Sequence, residues 1–216
     1  MVEAWLFDLD GTLIDTAPDM GAALNNLLVE EGYPPLPLAR IRPLVSQGGL
    51  ALTRLGFADQ VDEAEIEPLR LRFLEHYRAV VADESRLFKG FNAVLEVIEA
   101  RSVPWGIVTN KPEWLAIPLL QNLQLDKRAS VMIGGDTLAR KKPDPLPLRV
   151  AAERLGVACD RCVYIGDDER DIIAGRAAGM KTLVAAYGYI EASAQIDTWS
   201  ADGIIHSPAD ILHYPC

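Results

Sequence analysis

The chain has 216 residues, of which 50% are hydrophobic and 24% are charged. This composition is typical of a globular protein with a buried core and argues against a disordered chain. The formal net charge is −10. It argues against a nucleic-acid partner, because duplex binders need a basic surface that neutralises phosphates.

The N-terminus begins MVEAWLFDLDG and lacks the basic start and long apolar stretch of a signal peptide. No apolar run in the sequence approaches the roughly 20 residues that a membrane-spanning helix needs. We therefore expect a cytoplasmic protein that has no membrane partner.

The chain contains three cysteines, Cys159, Cys162 and Cys216. An odd and sparse set argues against a disulfide framework. Cys159 and Cys162 form a C-x-x-C pair, but a zinc site needs about two more soft ligands, and the pair leads into a strand-like run. We interpret the pair as two thiols beside a strand.

The predicted elements begin with a short apolar strand over residues 5–9, which ends in a carboxylate and a glycine turn. The region from residue 16 to residue 86 has no convincing strand pattern. Residues 19–30 and 64–81 have helical patterns, residues 38–44 are ambiguous, and residues 47–49 predict a flexible loop. This region therefore predicts an all-helical insert.

From residue 92 onwards, helical and strand-like runs alternate. Helical patterns cover residues 92–100, 113–123, 146–155 and 170–178, and strand-like runs cover residues 104–109, 130–134, 162–165, 182–186 and 203–205. Such alternation indicates a parallel sheet with helices on both faces. We predict an α/β fold with a Rossmann-like parallel-sheet core, residues 1–15 and 87–216, and an inserted α-helical cap domain, residues 16–86.

Several polar residues follow the predicted strands. Ligands of open parallel sheets bind beyond the carboxyl ends of the strands, so these residues should share one crevice: Asp8, Asp10, Thr109, Asn110, Asp167, Asp168 and Asp171. Crowded carboxylates stay ionised only beside a counter-charge. A hard cation such as Mg²⁺ would supply it, and the nearest basic residues in sequence are Lys141 and Lys142.

Four motifs in this pattern resemble those of the haloacid dehalogenase superfamily. They occur in the family's order: Asp8-Leu-Asp10-Gly-Thr, Thr109 in Ile-Val-Thr-Asn, Lys142 before Pro143, and Gly166-Asp167-Asp168-Glu-Arg-Asp171. The resemblance covers essentially the whole chain, and the helical insert resembles the cap of the type-one subgroup.

The resemblance implies four catalytic residues. Asp8 would attack phosphorus and become an aspartyl phosphate, and Asp10 would protonate the leaving alcohol and then accept a proton from water. Thr109 would donate its hydroxyl to a phosphoryl oxygen. Lys142 would offset charge on Asp8 and on the transferred group, with Lys141 as the alternative for that role.

The resemblance also implies the residues that hold Mg²⁺. Asp8, Asp167 and the backbone carbonyl of Asp10 would be ligands. Asp168 or Asp171 would either bind the cation directly or contact its ligands. Asp168 could instead be a plain exposed acid, and Asp171 could serve only the first turn of its helix.

Substrate contacts are predicted on both sides of the crevice. The backbone N–H groups up to Gly11 would bind the phosphate, and Asn110 would contact the substrate unless it caps the next helix. From the cap we select Arg42 or the Ser46–Gly49 loop, because an arginine would bind a carboxylated substrate.

Within the superfamily, the sequence favours a phosphatase. Family dehalogenases lack an acid at the position of Asp10, and phosphonate-cleaving members use a cap lysine, whereas the first lysine of this chain is Lys89. The alternatives are a β-phosphoglucomutase-like phosphomutase and a non-catalytic binding protein on the same fold. The cap contains arginines but no lysine, which disfavours the mutase.

The pattern as a whole resembles the phosphoglycolate phosphatase group. Four stretches, beginning at Trp105, Lys142, Gly166 and Tyr187, look closer to a branch that acts on N-acetylmuramic acid 6-phosphate. Both substrates carry a carboxylate. We therefore predict a magnesium-dependent phosphatase for a small carboxylated phosphomonoester, acting as a monomer or homodimer.

Overall fold

The computed structural model describes residues 2–213. Its strands are β1 (Ala4–Phe7), β2 (Ile14–Asp15), β3 (Arg86–Leu87), β4 (Trp105–Val108), β5 (Val131–Ile133), β6 (Cys162–Gly166), β7 (Lys181–Ala185) and β8 (Gly203–Ile205). Its α-helices are α1 (Ala17–Glu30), α2 (Leu38–Ile41), α3 (Gly49–Phe57), α4 (Glu63–Val80), α5 (Phe91–Ala100), α6 (Glu113–Asn122), α7 (Leu146–Leu155) and α8 (Glu169–Ala178). None of the helices in this range combines the length and apolar character that a bilayer crossing requires.

Six parallel strands form one sheet in the order β5-β4-β1-β6-β7-β8. β1 lies inside the sheet, where Trp5 pairs with Trp105 of β4 on one side and with Val163 of β6 on the other. The strand order reverses beside β1, and ligands bind at this switch point in doubly wound sheets. The predicted α/β fold with a Rossmann-like core is confirmed.

Both faces of the sheet are covered. Along β1, Trp5 and Phe7 enter one hydrophobic layer, whereas Ala4 and Leu6 enter the other, because side chains of a strand alternate between faces. The Phe91 ring of α5 packs edge-on against Phe7, with 5.2 Å between ring centroids. Burial on both sides explains why β1 is a continuous apolar run in the sequence.

Helices α1 to α4 surround a separate hydrophobic cluster. Phe57, Phe73 and Tyr77 are fully buried in it. Leu115 of α6 and Tyr189, which follows β7, pack into the same cluster. The helical insert therefore rests on the end of the sheet where α6 and the segment after β7 begin.

A two-stranded antiparallel ribbon, β2 with β3, forms where the chain enters and leaves the helical insert. Beside it, the buried Asp19 carboxylate of α1 accepts hydrogen bonds from the backbone N–H groups of Glu84 at 2.8 Å and Ser85 at 2.9 Å. These contacts tie the two connections together. The division into core and cap stays a prediction, and its second boundary falls inside β3.

The start of α3 differs from the sequence-based expectation of a flexible loop over residues 47–49. Gly48 has a φ of +84° and flanks the helix, which begins at Gly49. A Cβ atom at Gly49 would lie 3.2 Å from Phe73 and from Leu74. Close packing of α3 on α4 therefore explains this glycine, whereas we interpreted it as a sign of flexibility. The ambiguous residues 38–44 form α2 and the start of a 3₁₀ helix, Arg42–Gln47.

Cys159 and Cys162 are free thiols. Burial raises the pKa of Cys162 to about 12, and the neighbouring Cys159 adds to the effect, so this thiol stays protonated at neutral pH. Cys216 lies outside the described residues.

Candidate active site

Three neighbouring strands end in polar residues at one edge of the sheet. Asp8 follows β1, Thr109 follows β4 and Asp167 follows β6, and all three are buried. Sheet hydrogen bonds continue into these positions: the Asp8 N–H donates to Ile165 at 2.8 Å and the Thr109 N–H donates to Ile133 at 2.9 Å. The parallel ladder thus fixes how these residues are spaced.

Three carboxylates converge at this edge. Among the residues that the structure describes, Asp8, Asp167 and Asp171 each place one carboxylate oxygen within 4.8 Å of the others. We call this group the carboxylate cluster. Asp171 reaches it from the first turn of α8, so residues far apart in sequence meet at one point.

Donors from three segments orient the Asp167 carboxylate. The Thr12 hydroxyl donates to it at 2.9 Å, the Ser46 hydroxyl at 2.7 Å and the Tyr189 backbone N–H at 2.9 Å. Ser46 also donates to the Asp10 carbonyl oxygen at 3.3 Å. The Asp10 carbonyl and the Asp167 carboxylate therefore face the same point, which Ser46 of the helical insert reaches.

The carboxylate cluster is short of positive charge. Burial raises the pKa of Asp167, and the carboxylates of Asp8 and Asp171 raise it further. Burial also raises the pKa of Asp8, and the Lys142 ammonium offsets only part of that effect. A divalent cation would stabilise the ionised forms. The donors are all oxygen atoms, which fits a hard cation such as Mg²⁺.

Lys142 is the cation inside the cluster. Its side chain is 2% exposed, and its Nζ lies 2.7 Å from Asp8 Oδ1 and 2.7 Å from Asp171 Oδ1. It also donates at 2.7 Å to the Tyr164 hydroxyl, which in turn donates to the Val108 carbonyl. Burial lowers the pKa of Lys142, but the two carboxylates outweigh it and the net pKa is raised. Lys141 is exposed.

The Asp10 carboxylate is not part of the carboxylate cluster. Its Oδ1 accepts hydrogen bonds from the Thr16 hydroxyl at 2.6 Å and from the Lys111 ammonium at 2.8 Å. Backbone and side chain of Asp10 thus face different neighbours. This separation fits the two predicted roles, a carbonyl beside the cation position and a carboxyl for proton transfer.

Lys111 is a site residue that our sequence analysis missed. Its side chain is 4% exposed, and its ammonium lies between the Asp10 carboxylate and the Tyr77 ring, 4.4 Å from the ring centroid. Burial lowers the pKa of Lys111, but Asp10 and Tyr77 raise it more, so the group stays charged. The signal was present in the sequence, because Lys111 follows Thr109 in the run after β4.

Our sequence analysis left Asp168 and Asp171 as alternatives for the further residue at the Mg²⁺ site. The two side chains have different partners. The Asp168 carboxylate binds the Arg170 guanidinium through contacts of 2.7 and 2.6 Å and also caps α8. Burial raises the pKa of Asp168, but Arg170 outweighs it and the net pKa is lowered. The Asp168 side chain therefore lies outside the carboxylate cluster, whereas Asp171 lies inside it.

We expected Arg42 to contact the substrate, but it does not line the cavity that opens over Asp8 and Lys142. Its guanidinium makes two 3.0 Å hydrogen bonds to the Asp15 carboxylate and lies 5.5 Å from the Tyr189 ring centroid. The nearby carboxylate thus binds the guanidinium at the ribbon between insert and core. The arginine of the helical insert that lines the cavity is Arg70.

Gly11 does not offer the predicted N–H donor to a phosphate, and its role in the site is steric. Its N–H already donates to the Ile14 carbonyl at 3.0 Å. Its φ is +85°, and a Cβ atom would lie 2.2 Å from Asp167 Oδ2. Only glycine allows the turn after β1 to pass so close to Asp167.

Asn110 connects the motif of Thr109 with the motif of Lys142. It does not cap α6, because the residue that flanks the start of this helix is Pro112. Its Nδ2 donates to the Lys142 carbonyl at 2.9 Å. This bond orients the amide, and it leaves the buried Oδ1 without a hydrogen-bond partner.

A cavity of about 560 Å³ opens over these residues between the insert and the sheet. Its size falls within the roughly 300–1,000 Å³ of pockets that enclose drug-sized ligands. Both parts of the chain line it, the core with Asp8, Asp10, Thr109, Asn110, Lys111 and Lys142, and the insert with Ser46, Gln47, Arg70, Leu74 and Tyr77.

The sequence model of haloacid dehalogenase-like hydrolases matches residues 5–185, which contain the carboxylate cluster and Lys142 but not Tyr189. The chain belongs to this family. The superfamily resemblance found in the sequence is thereby confirmed.

Relatives of this haloacid dehalogenase-like hydrolase carry phosphatase names. A phosphoglycolate phosphatase from Xanthomonas campestris pv. campestris is 49% identical over 208 residues, covering 96% of this chain and 94% of the relative. An N-acetylmuramic acid 6-phosphate phosphatase from Pseudomonas aeruginosa is 41% identical over 211 residues, covering 98% and 93%. The crystal structure of a predicted phosphoglycolate phosphatase from Haemophilus somnus matches with a TM-score of 0.87 at 27% identity, covering 98% of this chain and 97% of that one.

These likenesses identify this haloacid dehalogenase-like hydrolase as a phosphoric monoester hydrolase, as predicted. The relatives are named for small phosphate esters. The alternative of a non-catalytic binding protein is therefore dropped. Phosphatases of this family generally use a divalent metal, and the carboxylate cluster is the candidate site for it.

Proposed function

We propose that the chain is a magnesium-dependent phosphatase that transfers the phosphoryl group of a small carboxylated phosphomonoester to Asp8 and then to water. The observation that carries the proposal is the convergence of Asp8, Asp167 and Asp171 on Lys142 at the switch point of the sheet.

The proposed reaction has two displacements at phosphorus. In the first, an Asp8 oxygen bonds to phosphorus, the bond to the alcohol oxygen breaks, and Asp10 gives that oxygen a proton. In the second, water bonds to phosphorus, Asp10 takes its proton, and the bond to Asp8 breaks. Lys142, at 2.7 Å from Asp8, and the Thr109 hydroxyl would offset charge on the transferred oxygens.

The proposed Mg²⁺ ligands are Asp8, Asp167 and the carbonyl of Asp10, with Asp171 and Asp168 behind them. The contacts of Ser46 with both Asp10 and Asp167 support this set, because they show two of these oxygens facing one point. When bound, Mg²⁺ would supply positive charge that brings an anionic phosphate beside Asp8.

The carboxylated substrate is supported by the names of two relatives and by charge. The relatives are named for phosphoglycolate and for N-acetylmuramic acid 6-phosphate. Arg70 and Lys111 line the cavity. Arg70 is paired with Glu67 at 2.5 Å and Lys111 with Asp10 at 2.8 Å, so an anionic leaving group would share these cations with the two carboxylates. We also propose that residues 16–86 act as a cap over the core formed by 1–15 and 87–216, since Ser46 and Tyr77 bring the insert into the cavity.

The experiment measures phosphate release from phosphoglycolate, N-acetylmuramic acid 6-phosphate and glucose 1-phosphate, with Mg²⁺ or with a chelator. We expect release only with Mg²⁺, and a loss on the order of a thousandfold or more in Asp8→Asn, because the nucleophile is removed. Asp59→Asn, an exposed cap residue, is the matched control. Metal-independent release that Asp8→Asn leaves unchanged would refute the proposal. Conversion of glucose 1-phosphate to an isomer without phosphate release would instead favour the phosphomutase.

A further inference from the structure

Tyr189 connects the carboxylate cluster to the point where the chain enters the helical insert. Its backbone N–H donates at 2.9 Å to Asp167 Oδ2. Its hydroxyl donates at 2.6 Å to Asp15 Oδ1 and accepts a hydrogen bond at 2.9 Å from the Ala17 N–H, where α1 begins. The residue is 4% exposed. One buried residue thus joins the candidate cation site to the base of the insert.

The Tyr189 hydroxyl acts as a donor and as an acceptor at once. Burial and the hydrogen bond to the Asp15 carboxylate raise the pKa of Tyr189 well above its ordinary value, so the hydroxyl keeps its proton and donates it to Asp15. A phenylalanine would fill the same space but make neither bond. The buried Ala17 N–H would then lose this partner, which costs free energy, and the ring would no longer be held in place.

Arg42 holds the same Asp15 carboxylate from the insert. Its guanidinium makes a 3.0 Å hydrogen bond to each Asp15 oxygen and lies 5.5 Å from the centroid of the Tyr189 ring. A bidentate pair fixes the orientation of a carboxylate as well as its position. Arg42 therefore determines where Tyr189 finds its acceptor, and it also contacts the ring of Tyr189.

The backbone beside Tyr189 packs tightly against Asp167. A Cβ atom at Gly188 would lie 2.4 Å from Asp167 Cβ and 2.4 Å from the Gly11 carbonyl oxygen, so these segments are in direct contact. Closely packed groups transmit a displacement to their neighbours instead of absorbing it. A shift of Tyr189 would therefore change the orientation of the Asp167 carboxylate.

We propose that Tyr189 is a positioning residue for Asp167, and that Arg42 holds Tyr189 in place through Asp15. The affinity for Mg²⁺ then depends on contacts at the base of the insert, because none of Arg42, Asp15 and Tyr189 lines the cavity. Tyr189 also lies beyond residue 185, where the match to the family sequence model ends. This inference rests on the cation site of the proposed phosphatase.

The test measures the Kd of Mg²⁺ by isothermal titration calorimetry, without substrate, in the wild type, Tyr189→Phe and Arg42→Gln. We expect each substitution to weaken Mg²⁺ binding about tenfold, because residues that orient a metal-binding carboxylate typically contribute about 10–100-fold to metal affinity. The Arg42 side chain is 38% exposed, so Arg42→Gln tests the inference even if Tyr189→Phe fails to fold.

Tyr33→Phe and Arg54→Gln are the matched controls. They make the same chemical changes in the insert, away from Asp167, and should leave the Kd of Mg²⁺ unchanged. Tyr33 packs edge-on against Phe57, and the exposed Arg54 guanidinium pairs with Glu63.

The double variant Tyr189→Phe with Arg42→Gln distinguishes positioning from general support of the fold. Because Arg42 acts through Tyr189, the double variant should bind Mg²⁺ about tenfold more weakly than the wild type, as each single variant does. Independent losses that multiply to about a hundredfold would overturn the role of Arg42. An unchanged Kd in Tyr189→Phe, with only a lower Tm, would overturn the positioning role of Tyr189.

Phosphate release from the wild type separates this inference from the proposed function. Weakened Mg²⁺ binding in Tyr189→Phe, together with no phosphate release by the wild type, would overturn the phosphatase and keep the positioning role. Mg²⁺-dependent release with the same Kd in the wild type and in Tyr189→Phe would overturn the positioning role alone. A wild type that does not bind Mg²⁺ would overturn both the cation site and this inference.

Discussion

Lys142 balances the negative charge of the site from within, because its ammonium lies 2.7 Å from both Asp8 and Asp171 and is almost fully buried. Removing one partner of a buried charge pair leaves the other uncompensated, at a cost of about 3–5 kcal/mol. In the proposed reaction, the same charge also faces the transferred phosphoryl group.

We predict that Lys142→Met lowers kcat/KM for phosphate release by about a hundredfold or more and reduces the free energy of unfolding. Lys141→Met is the matched control, since Lys141 is exposed, and should change both quantities little. Phosphate-release assays and urea unfolding measure the two effects. A large loss in Lys141→Met with little loss in Lys142→Met would reverse the assignment of the two lysines.

Individual residues differ in how well the sequence could predict their positions. Asp8 and Asp167 could be placed together because each ends a recognisable strand, and parallel strands share one edge. The partner of Arg42 could not be predicted, because Asp15 lies 27 positions away and only the folded insert brings them together. Lys111 could have been selected from its place two positions after Thr109, but its contact with the Tyr77 ring of α4 is visible only in the fold.

At the scale of elements, the turn between β1 and β2 positions Asp167 as much as Asp8. Gly11 in this turn has a φ of +85° and leaves no room for a Cβ atom beside Asp167. Gly90, which precedes α5, has a φ of +89° but open space around its Cα. Substituting Gly90 therefore tests backbone strain alone, whereas substituting Gly11 tests backbone strain together with a clash against Asp167.

We predict that Gly90→Ala destabilises the protein by about 1–2 kcal/mol, the cost of a left-handed conformation in an L-residue. Gly11→Ala should cost more and should also abolish stabilisation by Mg²⁺, because its Cβ atom displaces the Asp167 carboxylate. Urea unfolding with and without Mg²⁺ measures both. Equal losses, with the Mg²⁺ response intact in both variants, would contradict the proposed position of the cation.

The elements of the sheet were easier to predict than those of the cap. The six core strands are short apolar runs between turn signals, and their parallel orientation follows from alternation with helices. Helix α3 was missed because Gly48 and Gly49 indicate a loop locally, whereas close packing of Gly49 on Phe73 requires a small residue there. Tertiary contacts outweighed the local signal.

For the whole molecule, the raised pKa values of Asp8 and Asp167 link stability to pH. In the unfolded chain such groups lose their protons near pH 3.9, whereas burial keeps them protonated to higher pH in the folded state. From about pH 4 upward the folded state then binds more protons than the unfolded one, so these groups lower stability as pH rises. A cation reverses their contribution, because it binds the ionised carboxylates.

We predict that saturating Mg²⁺ raises the Tm of the metal-free protein more at pH 8 than at pH 5. Asp167→Asn should remove most of this difference, and Asp59→Asn, on the exposed surface of the cap, should preserve it. Differential scanning calorimetry at the two pH values gives the comparison. An equal Mg²⁺ effect at both pH values in the wild type would show that the buried carboxylates do not bind the cation.

In the proposed reaction Asp8 carries the phosphoryl group between substrate and water, so the chemical state of its carboxylate during turnover is the property to measure. The enzyme is mixed with substrate and Mg²⁺, quenched in acid, reduced with borohydride and digested for mass spectrometry. An aspartyl phosphate at Asp8 would be reduced to homoserine at that position, which we expect in the wild type and not in Asp8→Asn. Rapid phosphate release with an unmodified Asp8, or with homoserine at another aspartate, would contradict the account.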